Sequence, residues 1–526
     1  MHEFVILKAV MQNLARRLTA FLRSNTFFWV IIGGFVLQCL LFAVVVSPST
    51  VETHADGQIT RGGGVVPDGN RHIAAIYYFA EQPLLHGPII RDMDSNAMWI
   101  GDLERFPSYL YYYLLSFPVR IAMMMGAPDA VNVLLIRLIG IVFGVIVLLT
   151  LSKIVREIGL GRVSANIIML AMAATGAFVW LTPAENYDVL GLLFWLLFLL
   201  ASLRLFIRVD AKYLYWMALW FCLVAISKYT YIPFAGLAGL VAVWLYTRSI
   251  GYQNTGAAVR MQLRNWVKQL KKYQLVGLAL LLLVPAVLFV ERIGGNLLFY
   301  RSFSPNCTQI HSFDDCMKFG VFERNYTRAQ EYDRQLEAGE VERTTYNPVT
   351  YTGFWLNRYY SSMYGYVGHI WIYEFWAVMY AGMIGLVVAA AVLFVYLKRR
   401  KIHVLQSAAE KYIAGVVVML VVAQYVFNVR TFVTFGGEMY AYAHQGRYLL
   451  SAIGLIYILL LLVAYRAVAA MQRKTRRVVV PVLVAIGLFA LVTNCALVSF
   501  FVHADTAEWY SDIGRQIVPD WVYTIN

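Results

Sequence analysis

Charge is what this chain has least of. Only 14% of its 526 residues are Asp, Glu, Lys or Arg, against roughly a quarter in a soluble domain. Apolar residues make up 60%, and the mean hydropathy is +0.62. Short alternating segments of about ten residues, the mark of an outer-membrane barrel, are missing; the apolar residues come in long uninterrupted blocks. These features predict an all-α polytopic membrane protein. Cysteine is scarce too, with five in all and no CxxC pair, which makes a poor zinc site. Internal repeats and low-complexity segments are lacking. The apolar spans are nearly free of ionisable groups, whereas a transporter usually carries them mid-membrane on broken helices in matching halves.

Acid is missing from alternate loops. Segments 1–26, 153–162, 204–213, 248–273, 398–411 and 466–477 hold 26 of the 44 Lys and Arg, but only Glu3, Glu157, Asp210 and Glu410 among acids. This is the pattern of cytoplasmic loops, so the net charge of +14 sets orientation and suits anionic lipid headgroups; nucleic acid has no place in it.

Residues 1–26, with Lys8, Arg16, Arg17 and Arg23, read as a cytoplasmic amphipathic segment. Phe27–Val46 carries no charge over a length that crosses about 30 Å of hydrocarbon. It is too long for a signal-peptide core and lacks a convincing cleavage pattern, so it reads as the first span. A first outer loop, 47–130, contains two apolar runs expected to be helices along the membrane surface. Further spans are expected near 131–152, 163–182, 189–203, 214–230, 231–247, 274–291, 371–397, 412–428, 448–465 and 478–500. That makes about eleven, with the N-terminus inside. Residues 27–291 form an N-terminal transmembrane module and 371–500 the C-terminal helices. Between them lies a large outer loop, 292–370, and 501–526 form an outer tail. Cys307 and Cys316 flank a polar stretch of that loop, where a local disulfide is expected. Cys39, Cys222 and Cys495 read as packing residues. Arg137 and Glu374 lie near span ends, within snorkelling reach of water.

The distinctive polar clusters all fall on the outer side. The first is Val66-Pro67-Asp68-Gly69-Asn70-Arg71-His72. Others are Glu185-Asn186-Tyr187-Asp188, Lys228, and Gln445-Gly446-Arg447. Pro67-Asp68 with His72 resembles the "PDE-x-x-H" start of a large family of uncharacterised multispanning bacterial membrane proteins. Phe106-Pro107-Ser108-Tyr109-Leu110-Tyr111-Tyr112 is similar to that family's "PPLYY" element, and Asn186-Tyr187-Asp188 to its "N-x-D-A". Gly365-Tyr366-Val367-Gly368 resembles "G-x-F-G-W", and Gln445-Gly446-Arg447-Tyr448-Leu449 matches "QGRYL". The family in turn resembles the GT-C class of glycosyltransferases, which take a sugar from a polyprenyl-phosphate donor.

The resemblance implies a GT-C-like bundle in a bacterial inner membrane, with its active face outside. It also implies an envelope glycan or glycolipid acceptor, and Asp68 as catalytic base. Where the family has a second acid this chain has Gly69, so any metal-binding or acceptor role of that acid passes to Glu81, Glu185 or Asp188. A divalent metal is possible, with Asp188 the candidate ligand. A sugar hydroxyl needs a base to attack an anomeric carbon, and the departing lipid phosphate needs a cation. Arg447 and Lys228 are the candidates for donor phosphate. His72, Asn186, Asp188, Glu185 and Gln445 are candidates for orienting the acceptor. A single carboxylate opposite the leaving group implies inversion.

Plainer readings stand beside these. Pro-Asp-Gly is a strong turn sequence. His72 would serve as a structural hydrogen-bonder and Asp188 as an N-cap. Arg447 would anchor a headgroup, Lys228 would snorkel, and the Tyr109–Tyr113 run and Trp355–Trp371 would be interfacial aromatics. At the level of function, the rivals are a flippase or transporter of a lipid-linked sugar, and an assembly subunit that docks a partner through 292–370.

Overall fold

The computed structural model describes residues 17, 20–48, 51–53, 59–61, 69–82, 105–318, 320–342, 346–364, 377–434, 444–497, 500, 504 and 509–518. Asp68, Gly365–Gly368, Trp371 and Glu374 lie outside the described residues.

The described chain is helical apart from one two-stranded antiparallel ribbon, β1 (Val51–Thr53) with β2 (Ile59–Arg61). The first helices are α1 (Asn25–Val45), α2 (Gly69–Glu81), α3 (Leu110–Met124), α4 (Asp129–Glu157), α5 (Arg162–Ala173), α6 (Gly176–Leu181), α7 (Asp188–Ile207) and α8 (Lys212–Ser227). Then come α9 (Ile232–Ile250), α10 (Thr255–Gln269), α11 (Lys272–Phe289), α12 (Gly295–Tyr300), α13 (Cys307–Ile310), α14 (Phe313–Met317), α15 (Gly320–Glu337) and α16 (Pro348–Tyr364). The last are α17 (Ala377–Arg399), α18 (Ala408–Thr434), α19 (Leu450–Ala470), α20 (Arg473–Thr493) and α21 (Asp512–Ile517). Among the described residues nine helical segments are long and apolar enough to cross a membrane. The shorter apolar helices α5 and α8 occupy the expected third and fifth spans.

Helix ends follow local chemistry. The Ser24 hydroxyl accepts from the Phe27 N–H at the start of α1 (3.0 Å). At α18 the Glu410 N–H donates to Ser407 Oγ (3.2 Å) while Glu410 Oε2 accepts from the Ser407 N–H (3.3 Å). The bundle is built around α7. In its apolar window 78% of the residues are buried, against 6% for α11 and for α20. Those two helices present Leu280, Leu283, Val287, Val484, Leu488 and Val492 outward, as a lipid-facing edge must.

Bare backbone sets the closest approaches. Gly140 and Gly144, one turn apart on α4, face the turn after α6. A Cβ on Gly140 would stand 2.2 Å from the Thr182 carbonyl oxygen, and one on Gly144 2.5 Å from the Thr182 methyl. Small residues at this spacing let helix backbones approach within a membrane.

The two ends of the bundle differ in charge. At the end opposite the exit of α1, Glu157 receives Arg204 (3.1 Å) and Arg208 (2.7 Å). There Asp210 pairs with Lys212 (2.6 Å), and Glu410 with Arg466 (2.7 Å). These are three of the four acids in the basic loops. At the exit end of α1, α21 closes the rim: the Ser511 N–H donates to the Val45 carbonyl (2.9 Å), and its hydroxyl to Val44 (2.6 Å).

Several expectations change. The third span is broken at Ala174–Thr175. There the Thr175 hydroxyl bonds Ala171 O (2.9 Å) and Tyr457 Oη (2.7 Å), and its backbone bridges to Cys495. The seventh span does not stop at 291; a π-turn, Val290–Gly294, carries it into α12. Arg137 does not snorkel but is buried. The Tyr109–Tyr113 run is not an interfacial fringe, since Tyr109, Tyr111 and Tyr112 are buried with α2 and α4. Trp355 is buried as well, stacked on Tyr359 (4.4 Å), and both donate to Asn428 Oδ1.

Replacing Gly140 by Ala is expected to force α4 from the Thr182 turn and cost about 1–3 kcal/mol. Gly415→Ala, where a Cβ meets nothing within 4 Å, serves as the control. Thermal melting in detergent checks this, and equal melting temperatures for the two variants would rule the close packing out.

Candidate functional site

Five of the polar residues singled out from sequence, His72, Asn186, Asp188, Lys228 and Arg447, come together at the exit end of α1. Lys228 terminates α8 in an extended conformation (φ −152°, ψ 86°), and a 3-10 turn, Tyr229–Tyr231, leads into α9. Its ammonium lies 2.5 Å from Asp188 Oδ1, and both side chains are 5% exposed. Asp188 opens α7, and its N–H donates to Asn186 Oδ1 (2.7 Å), so Asn186 turns the chain into the helix. Three tyrosine rings surround the ammonium: Tyr231 at 5.2 Å, Tyr448 at 5.8 Å and Tyr187 at 5.9 Å from the ring centroids.

Arg447 lies in the 3-10 turn that starts α19 and sits 5.4 Å from the same Tyr448 ring. It is close enough to interact electrostatically with Asp188 and with Tyr187. Burial works against the Lys228 charge, and the Asp188 carboxylate and the three tyrosine rings give it partners. The N-termini of α7 and α19 both open onto this point, so two helix dipoles add positive potential to that of Lys228 and Arg447.

His72 joins from α2. Its Nδ1 lies 2.8 Å from Tyr112 Oη, its ring stands edge-on to Tyr187 (5.3 Å), and it interacts electrostatically with Asp188. The Phe106–Tyr112 element forms the wall between. Phe106 contacts Tyr187 and Tyr229, and Ser108 Oγ accepts from the Tyr229 N–H (2.9 Å). This wall is itself clamped, because Arg292 donates to Phe106 O (2.6 Å) and lies over the Tyr109 ring (4.1 Å). Arg105 adds bonds to Asn296 (2.8 Å) and Glu291 (3.0 Å).

Gly446 explains the tightness of the last element. A Cβ there would stand 2.6 Å from the Met363 nitrogen and 2.7 Å from Tyr359 O, so α16 lies directly on the turn that presents Arg447. Gln445 is adjacent, and its Oε1 is buried with no hydrogen-bond partner among the described residues.

Glu185 is drawn elsewhere. It is fully buried, 2.6 Å from Arg137 Nε, and Arg137 also donates to the carbonyls of Ala43, Val46 and Ser47. That pair ties the ends of α1, α4 and the α7 turn together. Glu81 is exposed on α2. Cys307 and Cys316 are bonded to each other, with Cα atoms 5.8 Å apart. Among the described residues no three His, Cys, Asp or Glu side chains form a metal-binding group. Asp188, the candidate metal ligand, already faces two cations, Lys228 and Arg447. Asp68 lies one residue before the first described residue of α2 and is outside the described residues.

The sequence placed Arg137 near a span end and Ser108 in an aromatic element, without showing that the first meets Glu185 or that the second accepts from the Tyr229 N–H, and it did not single out the Tyr231 ring.

No family model matches the chain, and no curated protein matches it. Among solved structures it is similar to the archaeal oligosaccharyltransferase AglB from Archaeoglobus fulgidus, in complex with an inhibitory peptide and a dolichol-phosphate. The identity is 14%, the TM-score is 0.40, and the match covers 90% of this chain. The chain spans 55% of that protein's length. Overlap of this degree carries no argument about activity.

Removing one partner of the buried Arg137–Glu185 pair leaves an uncompensated charge. Arg137→Met is therefore expected to cost about 3–5 kcal/mol, while Arg137→Met with Glu185→Met recovers most of the loss. Melting of the single and double variants checks this, and a double variant as unstable as the single would refute the pairing.

Proposed function

We propose that the chain is a membrane glycosyltransferase that moves a monosaccharide from a polyprenyl-phosphate sugar to a hydroxyl of a cell-envelope glycan or glycolipid. The observation that carries this reading is the meeting of Lys228 and Arg447 against one tyrosine ring, beside His72 and at two helix N-termini. A buried cluster of cations at the end of a lipid-facing bundle suits a phosphate on an apolar tail. His72, which joins the cluster, follows the candidate base Asp68 by four residues in the chain.

In the proposed step the acceptor hydroxyl gives its proton to the Asp68 carboxylate as its oxygen forms a bond to the anomeric carbon. The bond from that carbon to the phosphate oxygen breaks, and polyprenyl phosphate leaves with the electron pair. Lys228 and Arg447 take up the charge that develops on it. Attack opposite the leaving group inverts the anomeric carbon. Asp188 holds the Lys228 ammonium, His72, Asn186 and Gln445 orient the acceptor, and Glu185 acts through Arg137 on the rim. In this reading the site faces the outside of a bacterial inner membrane, an orientation that the basic loops at the opposite end support.

Purified protein given a synthetic polyprenyl-phosphate sugar and an acceptor is expected to release free polyprenyl phosphate. Asp68→Asn should lower turnover about 10²–10⁴-fold, the usual worth of a positioned base, and leave donor binding intact. Lys228→Met and Arg447→Met should each weaken donor binding by at least about tenfold. Binding without any release, in wild type and in Asp68→Asn alike, would replace this reading by a flippase. Loss of function confined to changes in 292–370 would point to an assembly subunit.

A further inference from the structure

Two uncharged residues pack against Lys228 and the backbone beside it. Gly191 lies on α7 three residues after Asp188, so the two share a face. A Cβ built on Gly191 would stand 2.9 Å from Lys228 Cβ, 3.4 Å from Cδ and 3.8 Å from Cγ. The first of these contacts is with the near end of the side chain, which moves only with its backbone. The bare backbone of α7 is thus the floor along which the lysine stem runs toward Asp188.

Ser108 acts on the other side. The extended conformation of Lys228 interrupts the helical ladder, and the Tyr229 N–H just beyond it donates to Ser108 Oγ (2.9 Å). Ser108 is 1% exposed, and Arg292, bound to Phe106 O, fixes its segment.

We infer that Gly191 and Ser108 are positioning residues for Lys228: the first sets how deep its stem lies, and the second pins the backbone that carries it. As a statement about ligand binding, this rests on Lys228 being a phosphate ligand; as a statement about geometry, it stands alone.

The test is a set of variants read two ways. In thermal melting without ligand, Gly191→Ala is expected to destabilise the wild-type chain. It should do so equally in a Lys228→Ala background, where the Cβ remains, and far less in a Lys228→Gly background, where it is gone. A cost undiminished by Lys228→Gly would make Gly191 an ordinary packing residue and overturn its role.

In binding of polyprenyl phosphate in detergent, Gly191→Ala and Ser108→Ala are each expected to weaken affinity about tenfold. Neither should weaken it further once Lys228 is Ala. If Lys228→Ala lowers affinity while Ser108→Ala and Gly191→Ala leave it unchanged, the positioning roles fall and the proposed function stands. If Lys228→Ala leaves affinity unchanged, the proposed phosphate ligand falls, and the melting cycle still decides Gly191. Should Gly191→Ala fail to fold, Ser108→Ala carries the binding test.

Discussion

A buried ammonium at the mouth of a helix bundle is the constraint around which the exit end is arranged. Taking Lys228 and Asp188 out of water costs several kcal/mol per ion, and a contact of 2.5 Å repays this only where the surroundings supply further partners. Here three tyrosine faces, the Asn186 turn and the starts of two helices do so. They come from three separate stretches of chain, at the starts of α7, α9 and α19, so the pair fixes where these helices begin relative to one another. Arg447 adds a second cation beside the same Tyr448 ring and within electrostatic reach of Asp188.

The rim repeats the device with another pair. Arg137 and Glu185 neutralise each other while Arg137 gathers three carbonyls from the frayed end of α1, groups that a helix terminus leaves without intrahelical partners. At the opposite end the three described acids of the basic loops, Glu157, Asp210 and Glu410, are likewise spent on neighbouring arginines and lysine. What remains unmatched there is positive charge on exposed residues such as Arg260, Arg264 and Lys268 of α10.

The spans were legible because an apolar block long enough to cross hydrocarbon has few other ways to fold, and their order and number follow the expected one closely. Their ends were less so. The break at Thr175 depends on Tyr457 and Cys495, residues about three hundred positions away, and nothing local announces it. The same holds for the site. Short motifs brought Asp188, His72 and Arg447 into view one by one, yet their meeting needs the fold. Charges were read individually, so Glu185 looked available for chemistry, whereas Arg137 on another helix already claims it. The tyrosines of Tyr109–Tyr113 looked interfacial because aromatic runs beside a membrane usually are; here α2 covers them.

The two members of the central ion pair are forty positions apart, on consecutive helices that form an antiparallel hairpin. During insertion from the N-terminus, that hairpin is complete more than two hundred residues before Arg447 is made. Asp188 therefore gives the lysine a counter-ion throughout the interval in which the pocket is half built. An unpaired ammonium at the edge of hydrocarbon would otherwise burden each nascent molecule. The counter-ion is thus in place before the last cation of the cluster is made.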